Sequence, residues 1–137
     1  MGPLVPDDFA VPAGLETERF RLRMLTVRDV VADFEAIRDH GAPGLTLEQN
    51  LIDLGWHQKE FQRRTSFAYT VVAPDDDGHV LGCAYIDPSD EAGVDARAHC
   101  WVRGEAAELD GELYEAFRAW LEAEWPFERV AYPGRDA

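Results

Sequence analysis

Basic residues are scarce in this sequence. Thirteen Lys and Arg stand against 27 Asp and Glu, a formal net charge of -14 over 137 residues. A chain this acidic is repelled by phosphate backbones and by anionic membrane surfaces, so neither nucleic acid nor a lipid surface is expected as a partner. Cysteine is nearly absent. Cys83 and Cys100 are too few for a disulfide framework and lack zinc-finger spacing. The four histidines (His40, His57, His79, His99) form no His-x-x-x-His pair, so no metal site is expected. No apolar run approaches the ~18 residues of a membrane-spanning helix. Met1 to Val11 carries two aspartates and no basic segment, unlike a secretory signal. A cytoplasmic protein is the expectation.

What is present is material for a core. The chain is 46% hydrophobic and 11% aromatic, which argues against disorder and fits one domain. Pro3, Pro6, Pro12 and Gly14 mark residues 1–14 as an irregular N-terminal arm. A single domain is expected over 15–134, and a short tail over 135–137.

The informative stretch is Ala96 to Tyr132. Ala98 to Arg103 reads as a strand, and Arg129 to Tyr132 as another. Between them Leu109, Leu113, Ala116, Phe117, Trp120 and Leu121 recur at helical steps and lie on one face. Trp125-Pro126 ends that helix, because proline disfavours helix in the residue before it. Strand, helix, strand makes a βαβ crossover, normally parallel. The connection after the first strand of such a unit is where anions are held, by free amides at the helix start. Here it runs from Gly104 to Glu112, with four carboxylates and no Lys or Arg.

Upstream, Arg19 to Leu25 alternates. Phe20, Leu22 and Met24 face one way, and three arginines face the other as an anion site or the solvated face of an edge strand. Thr26 to Asp29 resembles a capping box. Val27, Val30, Val31, Phe34 and Ile37 carry a helix to about Asp39. Thr46 caps a second helix, with Leu47, Leu51, Leu54 and Phe61 on its core face. Gly55 is a weak point there, and Trp56 and His57 beside it read either as a pocket rim or as packing and a surface histidine. Phe67 to Ala73, Val80 to Asp87 and Val94 to Arg103 read as a three-strand meander. Its first turn is Pro74 to Gly78, where Asp-Gly supplies a positive φ. Gly82 and Ala84 leave room on one face for a helix or a ligand. A second turn near Asp90 and Glu91 brings Cys83 and Cys100 close to opposite one another, as buried thiols or a disulfide.

Strand, helix, helix, three antiparallel strands, helix, strand is the order of the GNAT-type acyl-CoA N-acetyltransferases. Leu15-Glu16-Thr17-Glu18-Arg19-Phe20-Arg21-Leu22-Arg23 resembles the "TERLxLR" opening of that superfamily. Asp29 falls where its first helix commonly has an acid. Val80-Leu81-Gly82-Cys83 resembles its third strand, and Trp101-Val102-Arg103 the end of its fourth. The resemblance covers about residues 15–132. It implies an α/β fold, a mixed and mostly antiparallel sheet with helices on both faces. It also implies acetyl-CoA as cofactor and transfer of an acyl group to an amine.

Cys100, Trp101 and Val102 would then offer the strand edge to pantetheine, and Gly111 is the remnant of the family's Arg/Gln-x-x-Gly-x-Gly/Ala loop. Trp56 would line the acceptor pocket. His99, Glu105 and Asp95 are candidate bases and Tyr85 a candidate acid, because the amine must lose a proton near the thioester. Tyr132 does not match the family's tyrosine acid, and the family's later helix and two strands are not seen after Tyr132. The acidic, glycine-poor loop points the other way from the resemblance. Two readings therefore stand: an N-acyltransferase, or a non-catalytic GNAT-like protein that binds a small molecule or dimerises. The expected dimer covers the edge at Arg129–Tyr132 and the aromatics Trp120, Trp125 and Phe127.

Overall fold

The computed structural model describes residues 2–135. Its sheet has six strands in sequence order: β1 (Gly14–Glu16), β2 (Arg21–Met24), β3 (Phe67–Ala73), β4 (Asp76–Pro88), β5 (Ala96–Val102) and β6 (Val130–Ala131). Neighbours pair antiparallel except β5 and β6, which are parallel, as a βαβ crossover requires. Helices α1 (Val30–His40) and α2 (Leu47–Gln62) join β2 to β3. A 3-10 turn, Gly104–Leu109, leads from β5 into α3 (Asp110–Glu124).

Local signals fix the helix ends. Asp29 Oδ2 accepts the Thr26 amide at 2.9 Å ahead of α1. Thr46 and Gln49 exchange side-chain-to-amide bonds of 3.0 and 3.1 Å at the start of α2. α3 stops where Trp125 turns extended before Pro126.

Sheet alternation sends two sets of side chains in opposite directions. Phe20, Leu22, Phe67, Tyr69, Val71, Ala84 and Ile86 meet Leu113, Phe117, Trp120 and Leu121 of α3 in the main core. Leu25, Ala68 and Cys83 meet Leu54 of α2, and Val72 and Val80 meet Ala36 of α1. Each large side chain so buried contributes about 1.5–3 kcal/mol.

The N-terminal arm belongs to this packing. Val5 is buried, the Leu4 amide donates to Arg64 O at 2.7 Å, and the Tyr69 hydroxyl donates to Pro12 O at 2.6 Å. Phe9 packs 5.4 Å from Trp125. Trp120 and Trp125 are therefore core residues, 3% and 5% exposed, and not an open aromatic patch beside β6.

Several expectations are corrected. The arginine row does not lie on an edge strand, because β1 flanks β2 on its outer side. Arg21 and Arg23 instead reach Asp77, and Arg23 also holds Asp29 at 2.8 Å. The β3–β4 turn is Pro74-Asp75, since Ala73 already pairs with Asp76, and Gly78 does not take a positive φ. Gly82 admits neither a helix nor a ligand: a Cβ there would lie 2.0 Å from Trp101 O, so the close neighbour is the next strand's backbone. Cys83 pairs with Trp101 and Ala84 with Cys100. That one-residue offset puts the two thiols on opposite faces, both free, and excludes a disulfide. α2 runs without a pause through Gly55, but its buried face is Asn50, Leu54 and Phe61, rotated away from Leu47 and Leu51, which stay exposed.

Candidate functional site

The connection after β5 decides whether an acyl-CoA pyrophosphate has a seat. The β5 edge beyond Arg97 does not pair with β6, so the sheet opens toward α3. At the mouth of that opening the amide of Glu105 donates to Asp39 Oδ2 at 3.0 Å. The same oxygen accepts from Arg103 Nε at 3.0 Å. Asp39 comes from the last turn of α1, and these donors hold its carboxyl below the usual range, the Glu105 amide most and Arg103 next. Gly104 is needed here for close approach: a Cβ would meet Asp39 O and Oδ1 at 3.1 Å each.

A second internal contact fills the opening itself. Arg135 clamps Asp110 with two bonds of 2.6 and 2.8 Å, donates to Cys100 O at 3.2 Å, and lies over the Tyr114 ring at 5.0 Å. Asp110 is thereby held below its usual range, chiefly by the Arg135 hydrogen bond. Burial pushes the Cys100 thiol up to about 11, so it stays protonated.

Several groups that the resemblance would assign to acetyl-CoA have partners within the chain. One connection amide and the arginine beside it already serve a protein carboxylate, and the carbonyl at Cys100 is taken. Val102 O likewise faces His40 Nδ1 at 3.1 Å. Gly111, the expected remnant of the family loop, sits in the first turn of α3 with nothing within 4 Å of where a Cβ would be. Among the described residues no protein group approaches that position closely enough to require glycine. The loop carboxylates do not simply repel one another: Glu105 lies 2.7 Å from His79 Nε2, Asp110 is held by Arg135, and Glu112 pairs with Arg19 at 3.0 Å. These loop carboxylates are thus engaged by basic side chains of the chain itself.

On the opposite face of β5 the sequence's candidate catalytic pair does come together. Tyr85 and His99 are cross-strand partners, and their rings stack at 4.4 Å. His57 of α2 closes on Tyr85 at 5.4 Å, so the phenol lies between two imidazoles. Asp87 Oδ2 is 3.9 Å from His99 Nδ1. Trp101 Nε1 donates to the Tyr85 hydroxyl at 3.2 Å, and the Trp101 ring stacks on His40 at 4.7 Å. Burial lowers the affinity of His57 and His99 for a proton, and Asp87 opposes this in both. Burial also pushes the Tyr85 phenol up. At neutral pH the shelf therefore presents neutral imidazoles and a neutral phenol beside one carboxylate.

The other sequence candidates lie elsewhere. Trp56 points out of α2, 57% exposed, with Lys59 Nζ 4.1 Å above its ring. Its neighbour His57 takes the place on the shelf. Asp95 caps the amides of Glu128 and Arg129 at 2.7 and 3.0 Å, which makes it a loop brace. Asp39, Asp87 and Arg135 went unread. Asp87 was recoverable, since it lies two residues from Tyr85 on one strand and so shares its face. Asp39 and Arg135 carry no local signal.

Among the described residues no helix is long and apolar enough to cross a membrane, and no group of three or more His, Cys, Asp or Glu could hold a metal ion. No protein-family model matches the chain, and no curated protein matches it significantly. Solved structures do. A protein from Bordetella pertussis described as a GnaT-family acetyltransferase superposes with a TM-score of 0.70 at 21% identity, over 88% of this chain and 77% of that one. The ribosomal-protein-S5-alanine acetyltransferase from Vibrio fischeri gives 0.67 at 16% identity, over 88% and 73%. A GNAT-family acetyltransferase from Bacillus anthracis gives 0.59 at 14%, over 87% and 72%. Likeness at such identities is a statement about architecture: this chain has the fold of the GNAT-type N-acetyltransferases.

Proposed function

We propose that this chain is a non-catalytic GNAT-like protein that binds a small molecule on the shelf of His57, Tyr85, Asp87 and His99, and that it does not transfer acyl groups from acetyl-CoA. The observation that carries this reading is Asp39, whose carboxylate takes the Glu105 amide and the Arg103 guanidinium at 3.0 Å each. These two donors lie at the connection where the resemblance would seat a pyrophosphate, and both are engaged within the chain. The shelf offers imidazole nitrogens and one carboxylate around stacked rings, within an acidic molecule. That chemistry favours a small, neutral or cationic, hydrogen-bonding ligand.

A second reading, acyl transfer to an amine, is supported by one arrangement. His99 is exposed on one side, neutral at pH 7, and has the Asp87 carboxylate 3.9 Å from Nδ1. It could accept an amine's proton. The two readings part in a thiol-release assay with acetyl-CoA and a panel of primary amines. No release above the protein-free rate is expected. Protein-dependent release that falls ~100-fold or more in His99→Ala would establish the second reading instead.

A further inference from the structure

We propose that the outer face of α2 is the interface of a two-fold symmetric dimer of this chain, in which Trp56 of each copy seats over the partner's Gly55. Ile52 and Trp56 are 70% and 57% exposed at the middle of a 16-residue helix. Neither belongs to any core cluster, and both lie on the side of α2 away from Asn50 and Leu54. Large apolar groups held this far out of a core mark a contact surface. Beside them Gly55 leaves a dent. The nearest atom to a Cβ placed there is Val27 Cγ1 at 3.8 Å, and Val27 is itself 37% exposed. A knob and a hole therefore sit at adjacent positions on one helix face.

The charges on that face select the occupant. Glu48 precedes the apolar pair, while Lys59 and Arg63 follow it. Helical spacing of three and four residues keeps Glu48, Ile52, Gly55, Lys59 and Arg63 on one side. Among the described residues Glu48 and Arg63 form no ion pair. Two such helices packed antiparallel about a point between Gly55 and Trp56 bring Glu48 against the partner's Arg63, twice. Ile52 then meets the aliphatic stem of the partner's Lys59. The surface is complementary to itself, which is what a two-fold axis demands. A chain of net charge -14 repels its copies in general. Beside Trp56 and Ile52 the bases Lys59 and Arg63 stand against Glu48, Asp53 and Glu60, a local balance of -1 set against the chain's -14. β1 has three residues and β6 two, too short to template a further strand. One helix per copy makes a small interface, so association is weak.

Sedimentation equilibrium on the full chain tests this. The mass should rise from 15.4 kDa toward twice that value between tens of micromolar and about one millimolar. Trp56→Ala and Ile52→Glu should each weaken association about tenfold or more. Glu48→Arg and Arg63→Glu should each weaken it about threefold to tenfold, and the double variant should restore it. All four sites are on the surface, and an unchanged thermal midpoint shows that folding is intact. A monomer at every concentration overturns the proposal. So does a dimer indifferent to Trp56→Ala, or a double charge swap weaker than either single change.

Discussion

Asp33 shows how far one carboxyl can depart from what its sequence position announces. It lies in α1, 2% exposed, with Asn50 Nδ2 3.1 Å from Oδ2 and no partner for Oδ1 among the described residues. Burial pushes its carboxyl up to about 6, against the pull of Asn50, with Asp29 adding to the rise. The folded chain therefore keeps a proton that the unfolded chain releases near pH 4. Stability from this group is fully present below pH 4 and is lost as pH rises through 6, a difference of about 3 kcal/mol. Asp33→Asn should thus stabilise the protein in urea unfolding at pH 7.5 and change it little at pH 4.5. An effect of the same size at both values would contradict this origin. Nothing in the sequence marks Asp33, because its burial depends on α2 crossing over it. Tyr85 and His99 could each be named from the sequence, but their meeting could not: the register with Cys83 opposite Cys100 puts them on opposite faces, and the observed pairing one residue away stacks them. Asp39 was not legible, since it meets Glu105 only when α1 and the turn after β5 converge.

At the level of elements, the helices and the strands from β2 onward could be read closely; β1, at the end of the stretch read as an irregular arm, was not read as a strand, and elsewhere what failed was rotation and register. β3 begins and ends where its composition says it should. The β4–β5 pairing is one residue away from the one that puts the cysteines opposite each other, and that residue moves Cys100 to the α3 side. Turn length sets register, and the turn after Pro88 has no two-residue signature to fix it.

The N-terminal arm illustrates a tertiary tether. Arg64 holds a left-handed φ of 65° and donates to Pro6 O and Phe9 O at 2.6 and 2.9 Å. Glycine would relieve the backbone and lose the tether, while alanine would lose the tether and keep the strain. A left-handed non-glycine residue costs about 1 kcal/mol, and charged hydrogen bonds contribute about 1.5–3 kcal/mol each when buried, less here where one is exposed. The expected order of urea midpoints is wild type, then Arg64→Gly, then Arg64→Ala. Alanine equal to or above glycine would show that the backbone is unstrained at this position.

For the whole molecule, the order of elements and the opening Leu15–Arg23 word were enough to anticipate the architecture that the solved GNAT acetyltransferases share at 14–21% identity. The charge balance excluded more than it identified. Its acids are not spread as a uniform repulsive coat: Asp29, Asp39, Asp77, Asp110 and Glu112 each hold an arginine. Two of these pairs, Asp39 with Arg103 and Asp110 with Arg135, flank the connection after β5 on which the proposed function turns. The proposed lack of acetyl-CoA binding therefore rests on specific contacts that a substitution can remove. Isothermal titration with acetyl-CoA, on the unaltered chain and on Asp39→Ala, tests that most directly. The unaltered chain should bind at millimolar strength or weaker. Asp39→Ala frees one amide and one guanidinium and should bind about tenfold tighter at low salt, with the gap narrowing as salt is raised. Micromolar binding by the unaltered chain, unchanged by Asp39→Ala, would contradict the account.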